Sequence, residues 1–432
     1  MIGAILFAIF IGMMVVGVPI GAALGLAGTA AIALANADTQ WFGLLAVPQN
    51  FYAGLGKYPL LAIPMFVLVG SIFDRSGVAA RLVNFAVAIV GRGSGMLPLV
   101  AIAVAMFLGG VSGSGPANAA AVGGVMIAAM ARAGYPPAYS ASIVGAAAAT
   151  DILIPPSIAF IVYSVLVPGA SVPALFAAGM VPGVLVGLAL IVPAVWMARR
   201  NGMGAAEAQL PRPPFWRSLR EASWGLAAPV VILGGMRAGW FTPTEAAVVA
   251  VFYGLFVGMA IHRTIGPRDL FLILREAGEI SAVILLVVAL AGVFAYSLST
   301  LGIIDRVTNA ITRSGLGEFG VLSLIVLLLV AVGMVLDGVS IFLIFVPLMM
   351  PIINHYHWDV VWFGVLLTLL VALGQFTPPM AVNLMVSCRI AGVRMEDTLR
   401  WIGWLIAAML LVAVLVIAFP SLALWLPHSL GY

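Results

Sequence analysis

Apolar runs of membrane-spanning length follow one another along almost the whole chain, and nothing else in the sequence restricts its possible folds as tightly. A helix needs about 20 apolar residues to cross the hydrocarbon core of a bilayer. Such runs lie near 2–17, 20–36, 58–73, 139–165, 174–197, 223–241, 244–261, 280–299, 360–387 and 403–426. Charged residues make up only 8% of the 432, whereas a soluble domain carries about a quarter because its surface must be solvated. The exterior must therefore face a lipid bilayer. The expected fold class is an all-α polytopic membrane protein.

Two further apolar stretches, 96–131 and 319–354, are each broken midway, by SGSGPAN (Ser112 to Asn118) and by DGVS (Asp337 to Ser340). Such segments at the bilayer centre expose backbone groups that lipid cannot satisfy, so they must be buried in protein or line a cavity. A re-entrant hairpin with its tip near the midplane meets that requirement. The expectation is thus about ten transmembrane helices plus two re-entrant hairpins.

The most polar segment, 199–221, holds Arg199, Arg200, Arg212, Arg217 and Arg220 and divides the chain into near-equal halves. Residues 1–198 form the first unit, 199–222 a linker placed in the cytoplasm by its positive charge, and 223–432 the second unit. The halves repeat. Pro155-Pro156 and Pro378-Pro379 lie 223 residues apart (378 − 155), and at that offset Gly115 meets Gly338, Ser114 meets Asp337 and Tyr135 meets Trp358. Loop charge points to inversion of the second copy. Residues 74–93 carry Asp74, Arg75, Arg81 and Arg92, net +2, while 302–320 carry Asp305, Arg306, Arg313 and Glu318, net zero. Arg389, Arg394 and Arg400 follow the second proline pair, whereas 164–174 after the first has no charge. One copy looks cytoplasmic where the other looks external, the signature of two inverted repeats. Both termini then fall outside. The first hairpin opens to the cytoplasm and the second to the opposite face.

Several function classes drop out. Lys57, the sole lysine, is followed by Tyr58 rather than Ser or Thr, so the chain has no phosphate-binding P-loop. Cys388 is the single cysteine, which rules out an intrachain disulfide and a thiolate metal site. His355 and His357 read as a loop feature. The net charge of +4 sits mostly in short loops, where it sets orientation, so nucleic acid is a poor explanation. The first 36 residues carry no charge and lack a basic leader, so they read as spans rather than a cleavable signal.

Interrupted helices at matching places in inverted halves point to a midplane transport site. Besides the hairpin tips, each half has a proline-paired break in the following span, ATDILIPPS (Ala149 to Ser157) within 139–165 and LGQFTPPMAVN (Leu373 to Asn383) within 360–387. Proline removes a backbone donor and disfavours helix before it, freeing carbonyls. Carbonyls, hydroxyls and amide oxygens suit an alkali cation, and helix N-termini suit an anion. The candidate cation ligands are Ser114, Asn118, Thr150, Asp151, Asp337, Ser340, Gln375 and Thr377. Ser112, Ser114, Asn118, Ser157, Ser340 and Asn383 are the candidates for cargo. Hydroxyls and amides also bond between membrane helices without further function, but their presence at both breaks of both halves favours a site. Asp151 and Asp337 stand out singly, because a carboxylate inside a span costs ~2.5–3.5 kcal/mol on insertion scales.

Other charges read as scaffold. Arg75, Arg81 and Arg92 are expected on an amphipathic surface helix, and Arg263, Arg268, Asp269, Arg275 and Glu276 on a neighbouring surface-lying segment. Trp196, Trp401, Trp404 and Trp425 fit interfacial belts.

The segments KYPLLAIPMFVLVGSIFDRSGVAARL (Lys57 to Leu82), SGSGPANAAAVGGVMIAAMARAGY (Ser112 to Tyr135), ILIPPSIAFIVYSVL (Ile152 to Leu166), FTPTEAA (Phe241 to Ala247) and FTPPMAVNLMV (Phe376 to Val386) resemble the large membrane subunit of the tripartite ATP-independent periplasmic (TRAP) transporters. The resemblance spans nearly the whole chain in the same motif order. It implies a sodium-driven secondary transporter of the inner membrane with an elevator fold and no cofactor beyond the coupling ion. It implies two partners, a small four-helix membrane subunit and a periplasmic substrate-binding protein. The implied cargo is a carboxylate, such as a C4-dicarboxylate, a keto acid or a sialic acid. Sodium sites would lie at the hairpin tips and broken helices. Two departures bear on the coupled ions: Asp151 stands where the family usually has Gly, and Gly338 where it usually has Pro.

Two other readings stay open at this point. A single-component sodium-coupled anion symporter would share the two-hairpin architecture. An intramembrane enzyme would need a catalytic cluster at one depth, and the sequence offers only two well-separated aspartates.

Overall fold

The computed structural model describes residues 2–36, 43–90, 93–209, 212–313 and 315–432, the side chains of Ser112, Thr312 and Arg313 apart. The described residues form helices joined by short turns, with no strand among them. Six helices have the length and composition to cross a membrane: Tyr58–Arg75, Val172–Arg200, Pro243–Ile261, Pro267–Thr300, Gly338–His355 and Met395–Ala418. Shorter apolar helices, among them Ile2–Val15 and Ile20–Ala35, fill the spaces between.

Both interrupted stretches fold as helical hairpins. The first pairs Met96–Ser112 with Gly115–Arg132, turning at Gly113, whose φ of 64° favours glycine. The second pairs Glu318–Gly333 with Gly338–His355. The two second arms are each 18 residues long and start 223 apart (338 − 115). The following helices start at Pro137 and Val360, again 223 apart (360 − 137).

Each of those helices breaks where the sequence carries its proline pair. Pro137–Ala148 tightens into a 3-10 turn over Ala149–Ile152, passes the cis Pro155-Pro156 bond and restarts as Ile158–Leu166. Ser157 sets the restart: its hydroxyl accepts from the Phe160 N–H at 3.5 Å, the N-cap role a hydroxyl plays well. In the second half Val360–Gly374 stops before the cis Pro378-Pro379 bond and resumes as Val382–Ala391. The first hairpin's arm Gly115–Arg132 packs against Pro137–Ala148 and against Val382–Ala391, joining material from both halves.

Four features depart from the sequence expectations. The charged segment from Arg268 to Glu276 is no separate surface helix; it opens one continuous helix, Pro267–Thr300, of 34 residues. At 1.5 Å per residue that is about 51 Å, well beyond the hydrocarbon thickness, so its charged first turns have room outside lipid. Of the arginines expected on the first amphipathic helix, Val78–Ile89 carries only Arg81; Arg75 ends the preceding helix and Arg92 lies outside the described residues. The run 403–426 divides at Pro420 into Leu399–Ala418 and Ser421–Leu430. Trp401 is buried edge-on against Tyr139 instead of facing an interface.

The polar linker is fastened down. Glu207 accepts from the Leu97 N–H at 2.8 Å and from the Tyr135 hydroxyl at 2.5 Å, while the same hydroxyl accepts from the Gly95 N–H at 2.7 Å. These bonds bind the linker to both ends of the first hairpin. Burial pushes the Glu207 carboxyl above its usual range, against the opposing pull of Tyr135 and of the backbone donors.

Candidate functional site

Close glycine contacts define where the breaks meet. A Cβ built on Gly115, at the first tip, would lie 2.7 Å from the Asn383 amide atoms and 2.8 Å from Gln375 Oε1. A Cβ on Gly338, at the second tip, would lie 3.4 Å from Gln375 Nε2 and 3.0 Å from Val371 Cγ1. Gln375 therefore sits between the two hairpin tips, on the broken helix of the second half. Gly333 and Gly374 approach still more closely, and the Met380 N–H donates to the Met334 carbonyl at 3.2 Å. On the other side, a Cβ on Gly113 would meet the Pro156 carbonyl at 2.9 Å and one on Gly109 would meet Asp151 at 3.0 Å. The first tip touches both breaks.

Two polar groupings result. In the first, Asn118 is buried and donates through Nδ2 to the Ala105 carbonyl at 2.9 Å, tying the hairpin arms together. Its Oδ1 has no protein partner, and neither carboxylate oxygen of Asp151 has one. Asp151 is 0% exposed. In the second, Asn383 donates through Nδ2 to Gln375 Oε1 at 3.2 Å and through its backbone N–H to the Gln375 carbonyl at 3.0 Å. Asn383 Oδ1 is again unpartnered. Gly115 and Asn118 share the first turn of one arm, so the two groupings adjoin.

The remaining predicted residues are satisfied locally. Thr150 donates to the Ala147 carbonyl at 2.7 Å, Thr377 to Leu373 at 2.6 Å and Ser157 to Ile152 at 2.6 Å. A donating hydroxyl keeps lone pairs that a cation can use. Asp337 caps its own helix, accepting from the Ser340 N–H at 3.2 Å and from the Ser340 hydroxyl at 2.5 Å. Ser114 stands at the N-terminus of its arm and lines a cavity of about 190 Å³. The side chain of Ser112 lies outside the described residues.

An ionised carboxylate buried without a partner is costly, and removing one member of a buried charge pair costs several kcal/mol for that reason. Asp151 and the free Asn118 oxygen are hard ligands of the kind that an alkali cation takes. Glycine contacts escaped the sequence reading, although the 223-residue match of Gly115 with Gly338 had marked both positions. Asp74, on the wall of the cavity beside Ser114, reads from sequence only as loop charge.

Along nearly its whole length the chain is similar to known proteins. A family model described as tripartite ATP-independent periplasmic transporter, DctM component, matches residues 7–422. The C4-dicarboxylate TRAP transporter large permease protein DctM of Vibrio cholerae is 34% identical over 458 residues, covering 99% of this chain and 98% of that protein. The isethionate TRAP transporter permease protein DctMQ of Oleidesulfovibrio alaskensis is also 34% identical, over 98% of this chain; the chain spans 66% of that relative's length. Among solved structures, the YdaH transporter of Alcanivorax borkumensis shares the fold, with a TM-score of 0.61 at 14% identity over 88% of this chain and 90% of that one. Full-length agreement in sequence with the family model and with these relatives leads to one assignment: the chain belongs to the DctM family of large TRAP transporter permeases and is a multi-pass membrane transport protein, not an enzyme.

Proposed function

We propose that the chain imports a small organic acid across the inner membrane, driven by a sodium gradient. It takes cargo from a periplasmic binding protein and works beside a small membrane subunit, a pairing suggested by the fused DctMQ relative. Named relatives act on C4-dicarboxylates and isethionate, both small anions, which supports the cargo class. The two halves act as inverted repeats, and the hairpins with their broken helices move together as an elevator unit. Asp151 and Asn118 hold a cation at the first break, while Gln375, Asn383 and the tips of both hairpins enclose the cargo and a further cation. The reading rests on one observation: three buried oxygen-bearing side chains, Asn118, Asp151 and Asn383, retain unpartnered oxygens where the breaks meet. In a low-dielectric interior such oxygens are expensive to leave unmet.

Reconstitution tests it. Vesicles holding this chain and its small subunit, supplied with a binding protein loaded with a radiolabelled dicarboxylate, should accumulate label only under an inward sodium gradient. Accumulation independent of sodium overturns the coupling. Uptake of free dicarboxylate with no binding protein present would favour a single-component symporter instead.

A further inference from the structure

An open groove of about 740 Å³ lies between the last turns of the helix Val172–Arg200 and the first arm of the first hairpin. Met96 and Leu99 of the arm form one side, and Ile191, Val192 and Val195 the other. Trp196, Arg199 and Arg200 line its end nearest the linker. Helix periodicity dictates their order. Residues four apart share a face, so Val192, Trp196 and Arg200 form one stripe and Ile191, Val195 and Arg199 the next. The first stripe continues back through the exposed Leu188 and Val184. At 1.5 Å per residue Val192 stands about 12 Å from Arg200 along the axis, and Val184 about 24 Å. The face therefore passes from aliphatic to aromatic to cationic. A phospholipid has the same order: acyl chain, ester region, phosphate.

The two cations are uncompensated. Both arginines are exposed, and neither makes an ion pair among the described residues. Glu207, in the adjoining linker, spends its carboxyl on the Leu97 N–H and the Tyr135 hydroxyl and lines no part of the groove. Arg199 commits only Nε, to the Ser94 carbonyl at 3.4 Å, which leaves its two Nη groups for an oxyanion. The Arg200 guanidinium lies 5.0 Å from the centre of the Trp196 ring, and that ring meets Trp404 at 5.0 Å in a T-shaped pair. Stacking places the guanidinium without using its N–H groups. Setting membrane orientation needs only positive charge in the loop. It needs neither a groove beneath that charge nor a guanidinium seated on a ring.

We propose that this groove binds an anionic phospholipid of the leaflet on the linker side, its phosphate held by Arg199 and Arg200 and one acyl chain laid against Val192, Val195 and Leu99. Basic pockets between membrane helices take such headgroups. The bound lipid ties the first hairpin's arm to the helix Val172–Arg200. The inference needs only a chain that spans a bilayer, and it is independent of sodium coupling and of the cargo.

Lipid titration tests it. Full-length protein with its small subunit, delipidated in detergent, receives phosphatidylglycerol or phosphatidylcholine of the same acyl chains, and thermal stabilisation is followed. Phosphatidylglycerol should reach half-effect at a mole fraction about tenfold lower or more. Arg199→Gln or Arg200→Gln should each raise that mole fraction about fivefold. The double glutamine variant should bring the two lipids together, whereas Arg199→Lys with Arg200→Lys should keep most of the preference. Equal half-effects on the wild type, or a double glutamine variant that retains the preference, overturn the site. A double variant that sheds the small subunit while its lipid preference stands would mean that the face docks a protein, and the lipid assignment fails. Should the variants fold poorly, the wild type decides: phosphatidylglycerol with a photoreactive acyl chain should label the segments holding Leu99 and Val192, and label absent from both sinks the proposal.

Discussion

The two hairpin tips occupy matching places in the two halves yet solve their polar groups in opposite ways. At the second tip Asp337 spends its oxygens on its own helix, through the Ser340 N–H and hydroxyl. The first tip has Ser114 at that position, and the nearby carboxylate comes from the broken helix as Asp151, which has no protein partner. Their flanks differ as well. A charged cavity adjoins the first tip, whereas a cavity of about 900 Å³ beside the second hairpin is lined by Phe7, Phe10, Phe345 and Met380 among other apolar residues. A duplicated backbone plan thus fixes where interruptions fall without fixing which interruption keeps an unpartnered carboxyl group.

The largest effect should separate the two aspartates. Asp151→Asn should raise the sodium concentration for half-maximal uptake by about tenfold or more, since losing a ligand worth ~1.4 kcal/mol changes an equilibrium tenfold. Cargo affinity should move much less. Asp337→Asn keeps a capping side chain and should leave sodium dependence within about threefold, because Asn caps nearly as well as Asp. Equal sodium responses from both variants, measured in the same vesicles, would erase the contrast drawn here.

The glycines sharpen it next. Gly115→Ala places a Cβ within 2.8 Å of Gln375 and Asn383, where overpacking costs about 1–3 kcal/mol. Transport should fall to background while the protein still reaches the membrane. Gly338→Ala meets only Val371 Cγ1 at 3.0 Å and the Gln375 amide at 3.4 Å, so it should keep measurable uptake. An unimpaired Gly115→Ala protein would mean that the first tip does not close on the second broken helix.

The hairpin bases give smaller effects. Tyr135 and Trp358 are repeat mates, and each meets a glutamate: Glu207 from the linker, and Glu318 from the hairpin's own start, bonded at 2.7 Å to Trp358 Nε1. Glu207→Ala leaves the Leu97 N–H and the Tyr135 hydroxyl without their acceptor, a loss of about 1–3 kcal/mol. Glu318→Ala acts at an exposed position and should cost less than about 0.5 kcal/mol. Melting temperatures in detergent compare the two, and equal losses would remove the distinction.

The smallest effect is a pH slope. Burial raises the Glu207 carboxyl above its unfolded value, so the folded protein binds this proton more tightly than the unfolded chain. The resulting stabilisation is full below the unfolded value and is lost as pH rises through the folded one. Glu207→Gln cannot titrate and should flatten the decline in melting temperature across that window. A slope identical to wild type would show that Glu207 does not titrate differently on folding.

Much of this layout was legible before any coordinates. The arms of both hairpins meet at the polar gaps, because glycine and proline act locally: Gly113 supplies a left-handed turn and the proline pairs cannot continue a helix. The buried carboxylate was equally visible, since Asp151 lies inside an apolar run. Harder to read was anything depending on partners distant in the chain. Asp74 reads from sequence as loop charge, and only the fold sets it on the wall of a cavity that Ser114 also lines. The linker looked free, and only the contact of Glu207 with Leu97 and Tyr135 shows it docked.

By itself the sequence determined the solvent, the helices and their interruptions, because each follows from the hydropathy and backbone freedom of neighbouring residues. The tertiary structure alone decided which polar atoms find partners. Asp337 meets Ser340 three residues away, so its bonding is local; Asp151 is stranded because the arms packed around it offer no well-placed donor. Hydrogen bonding inside a membrane protein depends on distance and angle between segments far apart in the chain, and no single segment encodes those.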